Sequence, residues 1–204
     1  SRDAAQSWHN TTPPDLPEFS LIHTIEVSRH AASAAYVAAT RYKLDDYQPY
    51  LYRTDDYGQT WQNISAGFPE GEITRVIRED PVRPGLLYVG TETGIYASLD
   101  HGASWRRLQT NLPVAPVYDL KVEDNDLVAA THGRSFWILD DLTPLRQLAE
   151  EAARAPAHLF APAPAYRRYL QWSASLFRGP GKNYMLGLGA HAAFYEDKTP
   201  EGEP

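Results

Sequence analysis

The stretch Thr54-Asp55-Asp56-Tyr57-Gly58-Gln59-Thr60-Trp61 constrains this chain most, because it recurs. Ser98-Leu99-Asp100-His101-Gly102-Ala103-Ser104-Trp105 has the same form, S/T-x-D-x-G-x-S/T-W. Ser1, Asp3, Ser7 and Trp8 fall in the same register, with Ala5 at the glycine position. These residue types suit a tight hairpin turn. An Asp carboxylate can accept hydrogen bonds from backbone N–H groups of its own turn. Gly58 and Gly102 can take a positive φ that other residues resist. Trp8, Trp61 and Trp105 then open the next strand, where an indole can be buried between neighbouring sheets.

The repeat has a period. Trp61 and Trp105 are 44 residues apart, within the roughly 40–45 expected of one propeller blade. After each Trp comes a proline-bearing loop and then an alternating apolar run. Leu21–Val27, Ile73–Ile77 and Val117–Val122 are the predicted innermost strands. Ala35–Thr40, Leu86–Thr91 and Leu127–Thr131 follow as second strands. Tyr50–Thr54, Ile95–Ser98 and Ser135–Leu139 are third strands, and the fourth starts at the Trp. Trp8 and Trp61 are 53 residues apart, and most of the excess is an insertion over Arg41–Pro49. This pattern predicts an all-β chain of four-stranded antiparallel blades, a partial β-propeller with a short helix and an irregular C-terminal tail.

The third unit departs from the pattern. Asp140-Asp141-Leu142-Thr143-Pro144 stands where the turn motif is expected, and no Trp follows. Residues 144–154 read as a helix, with Thr143 as N-cap and Pro144 in the first turn. His158-Leu159-Phe160 is the candidate for the missing outer strand. The expected boundaries are 1–20 (outer strand of a preceding blade), 21–66, 67–112 and 113–161, with a linker over 162–204. Within that linker Tyr166–Trp172 is basic and aromatic, Gly187-Leu188-Gly189 reads as loop, and Ala190–Tyr195 as one strand.

Composition narrows the function. The chain has 204 residues, no Cys, one Met and a formal net charge of −7. The acidic balance disfavours nucleic acid as a partner. Without cysteine there is no disulfide, Cys-zinc site or thiol nucleophile. No apolar run is long enough for a membrane span. Ser1 stands where an initiator Met would be, so the chain reads as cut from something longer.

Residues 1–160 resemble the Asp-box β-propellers, the BNR-repeat glycosyl hydrolase-like group related to the sortilin (VPS10) ectodomain. The run Thr131-His132-Gly133-Arg134-Ser135-Phe136-Trp137-Ile138-Leu139-Asp140-Asp141, with Pro144-Leu145-Arg146, is similar to the final blade of a large bacterial propeller family. The resemblance implies the C-terminal blades of a longer, exported protein. It also implies that Asp3, Asp56 and Asp100 lie on the outer rim as turn residues, where calcium binding is possible but not favoured; no cofactor is expected. A three-blade arc leaves an inter-blade face and a sheet edge open, so it is expected to dock onto the remaining blades or a second copy.

Topology supplies the candidate binding residues. The loops between second and third strands share one propeller face, and they carry Arg41, Lys43, Asp45, Asp46, Glu92, His132 and Arg134. Binding groups collect on loops held by a rigid scaffold. Each has a plainer reading as well: Asp45 and Asp46 solvating a long loop, His132 ordering a turn, Arg134 bridging blades. A glycosidase would need two facing carboxylates about 5–9.5 Å apart, and only Asp45, Asp46 and Glu92 could supply them here. No P-loop, HExxH, GxSxG or GxGxxG motif is present. Two readings follow: a non-catalytic scaffold that binds protein or glycan on the loop-bearing face, or part of a glycoside hydrolase site completed elsewhere. A sortilin-like transport role is a third.

Overall fold

A computed structural model describes residues 4, 6–148, 155–162, 183–188 and 191–196. It divides into two units, Ser1–Ala163 and Pro164–Pro204. Asp3, Tyr166–Trp172 and residues 149–154 of the expected helix lie outside the described residues.

The first unit holds three antiparallel sheets, each built from consecutive strands. Blade 1 is β1 (Leu21–Val27), β2 (Ala35–Arg41), β3 (Asp46–Thr54) and β4 (Gln62–Asn63). Blade 2 is β5 (Thr74–Glu79), β6 (Leu87–Thr91), β7 (Ile95–Ser98) and β8 (Arg106–Arg107). Blade 3 is β9 (Val117–Glu123), β10 (Asp126–Thr131) and β11 (Phe136–Leu139). The second unit contains a hairpin of β12 (Asn183–Leu188) and β13 (His191–Glu196). Gly187 and Leu188 therefore lie in a strand, not in the loop the sequence suggests.

Stacking explains the burial pattern. Side chains alternate across a strand, so a sheet between two others buries both faces. In blade 2, Ile77, Leu87, Val89 and Tyr96 join a core with Tyr36, Ala38 and Leu51 of blade 1. Val76, Tyr88, Ile95 and Ala97 face the other way, into a core with Leu120, Leu127 and Ala129 of blade 3. Gly90 of β6 is closed in by Val76 of its own blade and Val117 of blade 3. A Cβ there would meet Val76 Cγ1 at 2.6 Å and Val117 Cγ1 at 2.8 Å. The two end blades each leave apolar surface uncovered among the described residues: Ile25 and Val27 are 64% and 62% exposed, Phe136 and Ile138 74% and 59%.

The Arg41–Pro49 insertion is folded. Tyr42–Leu44 forms a 3₁₀ turn, Asp45 takes a left-handed conformation, and Arg41 pairs with Asp46 to lengthen the hairpin. Helix α1 spans only Thr143–Gln147, with Leu142 in place of Thr143 at the N-cap. Asp141 does the capping, accepting from the Thr143 N–H at 3.1 Å and its hydroxyl at 2.5 Å. The helix stops there because the Arg83 guanidinium takes the Leu145 carbonyl at 2.6 Å and the Leu148 carbonyl at 2.9 Å. His158-Leu159-Phe160 forms no strand, so blade 3 has three strands among the described residues.

Candidate functional site

The two tryptophan-ended turns are closed by hydrogen bonds of one pattern. Asp56 accepts from the Thr60 N–H at 2.8 Å, the Thr60 hydroxyl at 2.6 Å and the Thr54 hydroxyl at 2.9 Å. Asp100 does the same with Ser104 and Ser98. The Thr60 hydroxyl and N–H hold the Asp56 carboxyl down at about 2. Burial alone would raise Asp100, but the bonds from Ser104 and Ser98 outweigh it and keep that group low. Gly58 and Gly102 have φ of 78° and 88°, and the preceding Tyr57 and His101 are also left-handed, at 62° and 59°. Paired positive φ angles of this kind suit a hairpin turn.

The three tryptophans differ in burial. Trp105 is 8% exposed, and its ring packs 5.3 Å from Phe68. Trp61 is half-buried, while Trp8 is 76% exposed instead of lying between sheets. Ile25 and Val27 of blade 1 are likewise exposed.

The loop-bearing face is organised by the strands beneath the loops. Each innermost strand carries a β-bulge near its start: opposite β2 between Ile22 and Thr24, opposite β6 between Thr74 and Val76, and opposite β10 between Val117 and Asp119. The extra residues are His23, Arg75 and Tyr118. A bulge leaves its extra residue unpaired and re-aims its side chain.

These three residues meet the loops. The Arg75 guanidinium lies 4.5 Å from the Tyr118 ring and 5.2 Å from the Tyr42 ring, a cation–π arrangement. Its Nε donates to Glu92 at 2.6 Å. The His132 ring lies 5.2 Å from that of Tyr118, centroid to centroid. Burial, then the charges of Arg75 and Lys43, push the His23 imidazole below its ordinary value. This cluster, here called the mouth, thus joins a strand or loop residue from all three blades.

The sequence-predicted residues separate into two groups. Lys43, Glu92 and His132 belong to the mouth. Arg41 and Asp46 pair with each other at 2.8 Å within blade 1. Asp46 also accepts from the Tyr50 hydroxyl at 2.7 Å and the Gln48 N–H at 3.1 Å. Burial would raise it, but the Tyr50, Gln48 and Arg41 bonds together hold it below the usual range. Asp45 is exposed at the loop tip beside Tyr47. The Arg134 side chain is exposed, and its carbonyl accepts from the Trp137 indole at 2.8 Å.

His23, Tyr42, Arg75 and Tyr118 escaped the sequence reading. Strand alternation hides a bulge, because the extra residue looks like one more position in the pattern. Aligning the three units on their tryptophans places His23, Arg75 and Tyr118 within two positions of one another, which is the signal that could have found them.

Among the described residues no group of three or more His, Asp or Glu side chains is placed to hold a metal, and no helix is long and apolar enough to cross a membrane.

No protein-family model and no curated protein matches the chain. Solved structures do. The structure of YCF48 bound to D1 peptide matches with 18% identity and a TM-score of 0.50, over 68% of this chain and 43% of that one. The GH74 enzyme of Niastella koreensis matches at 14% identity and a TM-score of 0.47, over 59% of this chain and 21% of that one. An ancestral GH74 enzyme matches at 17% identity and 0.46, over 56% and 14%. The chain therefore spans less than half the length of each of these neighbours. Three antiparallel sheets stacked in chain order, and the likeness to YCF48, make the first unit an arc of β-propeller blades.

Proposed function

We propose that this arc is a non-catalytic β-propeller scaffold that binds a protein or glycan at the mouth framed by His23, Arg75 and Tyr118. The observation that carries the reading is the repeated bulge, which sends one polar or aromatic side chain per blade to the same rim. Tyr42, Tyr118 and His132 offer rings for stacking on a sugar or a peptide side chain. Lys43 adds an exposed cation. YCF48, whose structure holds a peptide, gives a precedent on this fold for the protein-ligand form. The turn chemistry at Asp56 and Asp100 supports kinship with Asp-box propellers of the BNR and sortilin type, and with them an exported protein.

The alternative is part of a glycoside hydrolase site. A hydrolase acid needs a raised pKa. Asp46 is instead held low by its hydrogen bonds, and Glu92 is engaged by Arg75. This favours the scaffold reading.

The test is a glycan array and a peptide array probed with the wild-type chain and with Tyr118→Ala and Lys43→Ala. The expected result is a ligand whose affinity falls several-fold in both variants, Tyr118→Ala losing a ring contact of about 1 kcal/mol and Lys43→Ala a charge contact. A ligand bound equally by all three proteins, or turnover of an arrayed glycan, would contradict it.

A further inference from the structure

One side chain of β5 reaches the inner strands of both other blades. The Arg78 guanidinium donates through Nε to the Leu120 carbonyl at 2.8 Å and through Nη2 to Asp119 at 2.6 Å, both in β9. Its Nη1 meets Glu26 of β1 only at 3.4 Å. The other Glu26 oxygen accepts the Glu79 N–H, also at 3.4 Å. Charge-assisted hydrogen bonds are ordinarily about 2.7–2.9 Å long. The guanidinium is therefore committed to Asp119, and Glu26 is held by two long contacts although its side chain is only 21% exposed.

The seam between blades 1 and 2 holds a second, deeper carboxylate. Glu79 is 5% exposed. Its Oε1 accepts from the Tyr36 hydroxyl at 3.1 Å and the Gly85 N–H at 3.3 Å. Its Oε2 is buried with no hydrogen-bond partner among the described residues. Tyr36 stands opposite Glu26 in β2, and burial and Glu79 hold its phenol well above the ordinary value, so it stays neutral. Arg29, after β1, acts on Glu26 less strongly than Arg78 does. Arg78 thus serves the carboxylates of Glu26 and Asp119, with Glu79 adding like charge beside Glu26. Burial raises the Glu26 carboxyl above its ordinary 4.5, and Arg78, the Glu79 N–H and Arg29 do not offset it.

We propose that Glu26 is a proton-operated clasp between blades 1 and 2. In mild acid a solvent proton adds to its carboxylate. The seam then carries one negative charge fewer against the same guanidinium, and β1 is held more firmly on β5. The same two strands carry His23 and Arg75, and the Thr24 hydroxyl donates to the Arg75 carbonyl at 3.3 Å. The clasp therefore also fixes the spacing of those two residues. The inference does not rest on the ligand reading, because stability and titration alone test it.

The sign follows from the raised folded value. The contribution is full below the ordinary 4.5 and is lost as pH rises through the folded value. Thermal midpoints of the wild-type chain and of Glu26→Gln, compared between about pH 4.5 and pH 8, read it directly. Glu26→Gln should melt a few degrees higher at the alkaline end, and the difference should close toward the acid end. Asp119→Asn changes a side chain that is 61% exposed, so the fold should be kept. It frees Arg78 for Glu26, and carbon NMR should then show the Glu26 carboxyl titrating at lower pH than in the wild type. A wild-type Glu26 that titrates at or below the ordinary 4.5 would overturn the proposal. So would a Glu26→Gln difference that does not vary with pH, or a Glu26 titration that Asp119→Asn leaves in place.

Discussion

The Arg146 guanidinium lies 3.0 Å from the Asp80 carboxylate, a pair that is almost out of water, with side-chain exposures of 8% and 0%. It ties α1 to the end of β5 across 66 residues. Arg146 also donates to Asn125 at 2.6 Å and to the Asp124 carbonyl at 2.9 Å, which fastens blade 3 to blade 2. Asp80 accepts the Val82 and Arg83 N–H groups at 2.8 Å each. Pro144-Leu145-Arg146 thus places Arg146 where it joins blades 2 and 3.

Removing one partner leaves a buried charge unpaired, which costs roughly 3–5 kcal/mol. Arg146→Met should therefore lower the urea midpoint sharply. Adding Asp80→Asn should recover part of the loss, because the charge goes while the N–H groups keep an acceptor.

Gly90 is required by contact. Gly90→Ala would press a methyl group onto Val76 and Val117 and should cost about 1–3 kcal/mol. Thermal unfolding of Gly90→Ala with and without Val117→Ala tests this. The second change should relieve part of the first, since the two groups share one space.

Asp56 gives a pH dependence with a definite sign. Its folded value, about 2, is below the ordinary 3.8. Its contribution is therefore fully present above about pH 4 and is lost as pH falls toward 2. Midpoints of urea unfolding between pH 5 and pH 2 should fall less steeply for Asp56→Asn than for the wild type.

His23 reports the charge at the mouth. Its lowered value comes first from burial and then from Arg75 and Lys43. Lys43→Ala should raise the His23 pKa, and so should any ligand that brings a carboxylate to the rim. The imidazole C–H shifts in an NMR titration measure both.

Much of the fold was legible in the sequence because its signals are local. The Trp period, the positive-φ glycines and strand alternation placed β1 and β7 at their observed bounds, and the other inner strands within a few residues. The short helix was overextended because Leu148 fits the apolar periodicity, whereas its ending depends on Arg83 from another blade. The candidate site was less legible. Arg41, Asp46 and Glu92 looked free as sequence, and their pairing with Tyr50 or Arg75 is visible only once the hairpins are closed. Arg75 and Tyr118 meet across two blades, and no spacing within one repeat encodes that.

The account rests on each Trp turn gripping the unit before it, and hydrogen exchange at the indole N–H groups tests this most directly. The prediction is strong protection for Trp105, whose indole bond to Ile64 is buried, less for the half-exposed Trp61, and fast exchange for Trp8. Protection of Trp105 should fall in Ile64→Pro, which distorts the backbone at the acceptor. Rapid exchange at Trp105 in the folded wild type, or protection unchanged by Ile64→Pro, would contradict the stacking of these blades.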